Sequence, residues 1–125
     1  MDRSLNQLQM HGISNCDTIK KAKTWLNDAG LEFSFRDYKK QPPSTQELQS
    51  WAALVGWENL LNKRGTTWRK LPTHAQQSVN EHTVCALLSE NPSMIKRPVL
   101  VMQDQNNIQV WVGFKADQYA TIFNL

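Results

Sequence analysis

Cysteine is scarce in this chain of 125 residues: only Cys16 and Cys85 occur, too few to staple a small secreted scaffold. No apolar run approaches the roughly 20 residues that a membrane-crossing helix needs. Met1 to Gln9 is mostly polar and lacks the charged-then-apolar pattern of a secretion signal. The histidines His11, His74 and His82 are scattered among the sequence without metal-ligand spacing, so no metal site is expected. There is no internal repeat and no low-complexity tract. These absences point to one cytoplasmic domain with no membrane contact and with thiols kept reduced; a monomer is the expectation. A net charge of +3 mildly favours anionic ligands but is too small to argue for nucleic acid.

What the chain does contain is a regular punctuation of apolar segments. Leu5 to Met10 alternates in part and reads as a strand, ended by Gly12. A helix follows, with Asn15 as expected N-cap, Asp17 in the first turn, Ile19, Ala22, Leu26 and Ala29 facing inward beside Trp25, and Gly30 at its end. Leu31 to Tyr38 alternates Leu31, Phe33 and Phe35 against polar neighbours, which predicts a second strand. Lys39 to Pro43 is a connector that neither a helix nor a central strand can enter.

From Pro43 to Ser93 the pattern is helical, with no strand signal. Ser44-Thr45-Gln46-Glu47 has capping-box spacing ahead of Leu48, Trp51, Ala52 and Val55, and Gly56 stops that helix. A short helix is expected over Trp57 to Asn62, running into the basic segment Lys63 to Lys70. Ser78-Val79-Asn80-Glu81 is a second capping-box match, opening a helix with Val84, Leu87 and Leu88 inward that ends near Asn91-Pro92. Val99 to Met102 and Ile108 to Val112 predict a hairpin around a turn at Gln103 to Asn107. Gly113 breaks it, and Asp117 to Phe123 reads as a terminal helix. The order β-α-β, helices, β-β-α suggests an α/β protein: a small mixed sheet with helices packed on it.

Cys16 is the residue with chemistry to offer. It stands where the first strand gives way to the first helix, among the unpaired N–H groups of a helix start. A free thiol titrates near ~8.5, and helix starts with nearby cations commonly lower this to about 3.5–7.5. Cys85, inside an apolar helical stretch, reads as a packing residue. The basic-aromatic run Arg64 to Lys70 could stack on single-stranded nucleic acid. One tryptophan in a short loop is a thin basis for that, and core or lid roles are expected for the five tryptophans, so no nucleic-acid partner is predicted.

Four ordered motifs carry a resemblance. They are Gly12 to Ala22 around Cys16, Lys63 to Leu71, Asn91 to Val99, and Val112-Gly113-Phe114-Lys115. Together they resemble the ArsC-like arsenate reductase family, and within it the small YffB-like branch. The resemblance implies a thioredoxin-like mixed sheet over about 1–42 and 94–125, interrupted by an all-helical insertion over about 43–93. It implies a catalytic cysteine at Cys16 and an arginine before a cis-proline at Arg97 and Pro98. It also implies a helper histidine at His11.

Arsenate reductases of this family hold their oxyanion with three arginines. Here only Arg97 falls in register. The insertion position holds Asn62, followed by Lys63 and Arg64, and the last position offers Lys115. A lysine is a point charge where arginine presents a planar fork, so arsenate turnover is not the first expectation. The Spx-type regulators of the same family carry Cys-x-x-Cys at the first motif, where this chain has Cys16-Asp17-Thr18-Ile19. A lone thiolate needs an outside thiol to release its mixed disulfide. The expected function is therefore a glutathione-dependent monothiol oxidoreductase. Cys16 and Arg97 would be catalytic, and His11, Asn15, Lys20, Lys63, Arg64, Arg97, Pro98 and Lys115 would bind glutathione or a small thiol or disulfide substrate. No permanently bound cofactor is expected; glutaredoxin is a candidate partner. The alternatives are arsenate reduction with glutathione and glutaredoxin, or an Spx-like regulator acting through RNA polymerase.

Overall fold

The computed structural model describes residues 6–104 and 107–125. Four strands form one sheet in the order β2-β1-β3-β4, where β1 is Asn6–Gly12, β2 Ser34–Asp37, β3 Val99–Asp104 and β4 Asn107–Val112. β1 runs parallel to β2 and antiparallel to β3, and β3 pairs antiparallel with β4. The sheet is mixed, as the strand–helix–strand and hairpin halves of the sequence require. Helix α1 (Asp17–Asp28) joins β1 to β2, and α7 (Ala116–Phe123) follows β4. This is a thioredoxin-like arrangement.

The chain divides into two compact units, one comprising the residues through Asp37 with Arg97–Leu125, the other Tyr38–Lys96. In the sheet unit, Met10 of β1 and Leu100 of β3 pack with Ile19, Ala22 and Leu26 of α1 and with Tyr119 of α7, all fully buried. Both helices therefore cover one face of the sheet. Strand alternation turns His11, Val99, Val101 and Val110 to the opposite face, and all four are buried there. Gly12 has a steric reason: a Cβ there would overlap the Cδ1 of Ile19, so only glycine lets the end of β1 approach α1 this closely.

The helical unit contains α2 (Thr45–Val55), α3 (Trp57–Leu60), α4 (Thr66–Arg69), α5 (Thr73–Gln77), α6 (Val84–Glu90) and a 3-10 turn, Pro92–Met94. Its core includes Leu48, Trp51, Leu60, Trp68, Val84, Cys85, Leu88 and Ile95. Backbone bonds from Asn62 N–H to Met94 and from Lys96 N–H to Leu60 tie α3 to the end of the unit. Tyr38 Oη donates to the carbonyl of Lys96 at 3.2 Å, linking the unit's first and last residues.

Several local expectations change. Cys16, not Asn15, is the N-cap of α1. The second strand is only Ser34–Asp37; Leu31 to Phe33 precede it and Tyr38 lies beyond it in a turn. Side-chain alternation there reflects packing on the cluster around α1, which a period-two pattern cannot distinguish from strand pairing. β1 extends past Met10 to Gly12, and Leu5 lies outside the described residues. The expected turn centres on Gln105 and Asn106, also outside them.

The capping box at Ser44 forms in both directions. The one at Ser78 does not: Ser78 closes α5 and its hydroxyl donates to His74 O at 2.6 Å. Asn80 and Thr83 instead serve the turn before α6, with His82 N–H bonded to Asn80 Oδ1 at 2.8 Å and Asn80 N–H to Thr83 Oγ1 at 3.0 Å. The helix over Trp57 to Asn62 stops at Leu60, because Leu61 forms an isolated bridge to Ile95 in a stretch with no expected strand character.

Candidate active site

Cys16 has extended backbone, φ −149° and ψ 129°, and its carbonyl accepts the Lys20 N–H at 3.0 Å to begin the first turn of α1. Its side chain is partly exposed and leans on the core cluster beneath the helix. Partial burial is the largest influence on the thiol and raises its pKa. Against it act the amide of Ile19, a hydrogen bond from Arg97, the amide of Thr18 and the charge of Arg97. Their combined effect prevails, and the pKa falls below its ordinary value of 9.0. The neutral thiol makes no cap hydrogen bond of standard geometry; the amides favour the sulfur chiefly as an anion.

Arg97 reaches this sulfur from the segment entering β3. The Arg97–Pro98 peptide bond is cis. Pro98 is buried, and its carbonyl accepts the N–H of Gly113 at 2.8 Å, fastening the loop after β4 to the proline segment. Gly113 has φ +85°, a conformation that favours glycine. Lys115, two residues on, is the exposed N-cap of α7.

The remaining candidates divide by unit. Asn15 is exposed just before Cys16, and Lys20 is exposed one turn after it. His11 is 1 % exposed near the end of β1, paired in register with Arg36 and Val99, which places it in the body of the sheet. Lys63 and Arg64 belong to the helical unit and are both exposed. There Lys63 Nζ lies 5.7 Å from the centre of the Trp68 ring, while Arg64 N–H bonds to Asn62 Oδ1 at 3.1 Å. Cys85 is buried in α6, and burial pushes its thiol up. Among the described residues no cluster of three histidine, cysteine or acidic side chains could hold a metal, and no helix is long and apolar enough to cross a membrane.

The amides of Thr18 and Ile19 and the close approach at Gly12 were not individually legible in the sequence. Gly12, four residues before a helix-start cysteine, was the available signal.

The ArsC family model matches residues 11–122. The chain belongs to the ArsC family. An uncharacterised protein of Haemophilus influenzae is 37 % identical over 116 residues, covering 93 % of this chain and 98 % of its own. A solved YffB protein is 40 % identical with TM-score 0.83, covering 92 % of this chain and 97 % of that one. An arsenate reductase-related protein from Brucella melitensis is 43 % identical with TM-score 0.72, over 95 % and 96 %. Relatives also include Spx global transcriptional regulators. This ArsC-family, thioredoxin-fold protein is thus related both to arsenate reductases and to Spx regulators.

Proposed function

We propose that this ArsC-family chain is a monothiol oxidoreductase of a reducing cytoplasm, reducing mixed disulfides with glutathione as co-substrate. The observation that carries the reading is a partly exposed helix-start thiol whose pKa is lowered despite burial, with Arg97 beside it. In the first step the Cys16 thiolate attacks the glutathione sulfur of a mixed disulfide. A Cys16–glutathione disulfide forms, the original sulfur–sulfur bond breaks, and the substrate leaves as a thiolate that takes a proton from water. A second glutathione, as thiolate, attacks the bound glutathione sulfur. This releases oxidised glutathione and restores the Cys16 thiolate: the substrate sulfur goes from disulfide to thiol, one free glutathione goes from thiol to disulfide, and the glutathione first carried by the substrate ends as the other half of the oxidised glutathione.

Arg97 would contribute a charged, two-pronged contact to a glutathione carboxylate as well as support for the thiolate. Asn15, Lys20, Pro98 and Lys115 are candidate neighbours of the bound tripeptide. His11, Lys63 and Arg64 enter on the family resemblance alone. Glutathione-dependent reduction of a glutathionylated small thiol is the direct assay. Activity in the wild type and in Cys16→Ser at the same rate would end the proposal.

Arsenate turnover by the same thiol is the enzyme alternative, suggested by the relation to an arsenate reductase-related protein. Release of arsenite with glutathione and glutaredoxin would support it. The relation to Spx regulators favours a non-enzymatic reading, partner binding at RNA polymerase. Capture of polymerase subunits by the Cys16→Ser protein, with no thiol turnover in the wild type, would favour that reading.

A further inference from the structure

Arg97 donates a hydrogen bond to the Cys16 sulfur, and a group on so long a side chain is placed only as well as its backbone. Pairing of β1 with β3 supplies part of that placement. His11 lies opposite Val99, so Pro98 and Arg97 continue alongside the end of β1, and a Cβ added at Gly12 would come within 3.6 Å of the Arg97 Cβ. On its other edge β3 pairs with β4 as far as Val99 opposite Val112. One further bond, from Gly113 N–H to Pro98 O at 2.8 Å, carries this ladder to the residue next to Arg97. Pro98 has no N–H to give in return, so the last rung rests on that bond alone.

The rung depends on the turn at Gly113. Its φ of +85° redirects the chain from β4 toward α7, and a Cβ there would meet nothing within 4 Å. Gly113 therefore has no packing of its own to hold it. Phe114, the next residue, does. It is half-buried and edge-on to Tyr119, with 4.7 Å between ring centres. Tyr119 is fully buried, edge-on to Trp25 at 5.5 Å and to Phe123 at 6.2 Å, and its N–H bonds to Lys115 O at 3.0 Å at the start of α7. Its hydroxyl has no hydrogen-bond partner among the described residues, so what Tyr119 offers Phe114 is its ring.

We propose that Phe114 is a positioning residue for Arg97: seated on Tyr119, its ring holds the Gly113 turn and with it the single bond that fixes the Pro98 carbonyl beside the arginine. Without the ring the turn is free to drift, the last rung loosens, and the guanidinium loses its fixed approach to the sulfur. This role lies beyond the thiol-transfer cycle and holds whichever substrate Cys16 attacks.

The pH profile of iodoacetamide labelling at Cys16 tests it, read by peptide mass in the full chain with Cys85 as internal reference. Phe114→Leu should move the Cys16 midpoint upward, and below the midpoint the labelling rate should fall about two- to fivefold. Arg97→Met should move it farther in the same direction. The double variant should match Arg97→Met alone, because the ring acts only through the arginine. Phe114→Tyr keeps the ring and should restore the wild-type profile. Tyr119→Phe drops only the unpartnered hydroxyl and should leave the profile in place. Gly113→Ala reaches the same rung through the backbone: its methyl has room, but its φ does not suit alanine. It too should raise the midpoint when Arg97 is present and not in Arg97→Met.

Three results would overturn the assignment. One is an unmoved midpoint in a Phe114→Leu protein shown by urea unfolding to be folded. Another is a rise that persists undiminished in the Arg97→Met background, which would mean that the ring acts on the amides of α1 through the aromatic cluster. The third is an unmoved midpoint in Arg97→Met, which would leave Phe114 nothing to act through. Should Phe114→Leu fail to fold, Gly113→Ala and its double variant with Arg97→Met decide by the same criteria.

Discussion

The two cysteines sit in different units and titrate in opposite directions. In the sheet unit Cys16 stands at the mouth of α1, where burial opposes ionisation but two amides and a guanidinium overcome it. In the helical unit Cys85 lies within α6, with burial alone acting on it, and its thiol is raised. The side chain is the same in both places. Both stand at a helix start, Cys16 as the N-cap of α1 and Cys85 as the second residue of α6, so the position in the helix is not what separates them. What differs is that amides and a guanidinium act on the Cys16 sulfur, whereas only burial acts on that of Cys85.

The two thiols also respond oppositely to pH. The lowered pKa of Cys16 contributes stability that is present above its unfolded value and is lost as pH falls through the folded value. The raised pKa of Cys85 works the other way: stability is lost as pH climbs past the unfolded value of 9.0 toward the folded one. In the window just below 9.0, Cys16 should be the thiol that reacts.

The largest expected effect tests that contrast directly. Cys16→Ser should abolish glutathione-dependent turnover, whereas Cys85→Ser should retain it, as measured by oxidised glutathione formed. Loss of activity in both would dissolve the distinction between the two sites.

A steric comparison between the units comes next. Gly12→Ala should destabilise by about 1–3 kcal/mol in urea unfolding, since the new methyl must displace the buried Ile19. Because the Ile19 amide supports the thiolate, the same change should raise the midpoint of Cys16 alkylation. Gly65→Ala in the helical unit should cost far less. Its new Cβ meets the end of the Asn62 side chain at 3.1 Å, and the glycine already has an ordinary φ of −79°.

Arg97→Met should shift the pH profile of iodoacetamide labelling at Cys16 upward and leave that of Cys85 in place. An unmoved Cys16 profile would mean that the helix amides suffice. The smallest effect lies within the helical unit. Ser44→Ala should lower stability by about 0.5–2 kcal/mol through loss of the formed capping box. Ser78→Ala should stay within about 0.5 kcal/mol, since its hydroxyl serves only the exposed end of α5.

The Ser44 and Ser78 pair shows how far local pattern extends. Both segments have the serine and glutamate at capping spacing, yet only one begins a helix. Ser44 follows two prolines that stop the chain from being helical earlier. Ser78 follows directly on α5 and is used to end it, while Asn80 and Thr83 manage the next turn. Capping residues satisfy whichever donors or acceptors tertiary packing brings to them, so their spacing is necessary and not sufficient. Leu31 to Phe33 teaches the same lesson for strands: their apolar residues help cover the α1 cluster without joining the ladder.

Sequence alone was enough to indicate the β-α-β, helical stretch, β-β-α order, the mixed sheet and the inward face of α1, while the preference for Cys16 over Cys85 as the candidate thiol rested on its place at a helix start and on the family resemblance. The first three follow from periodicity, from glycine and proline positions and from the change of pattern at Gly12. Only the tertiary structure decided which groups stand around the sulfur. The Ile19 and Thr18 amides are near Cys16 in the chain, but their effect depends on Cys16 itself serving as N-cap, and Arg97 is brought to it from 81 positions away by the pairing of β1 with β3. Local sequence encodes periodicity and backbone preference, whereas an electrostatic environment is a sum over neighbours in space, and those neighbours exist only once the sheet has formed.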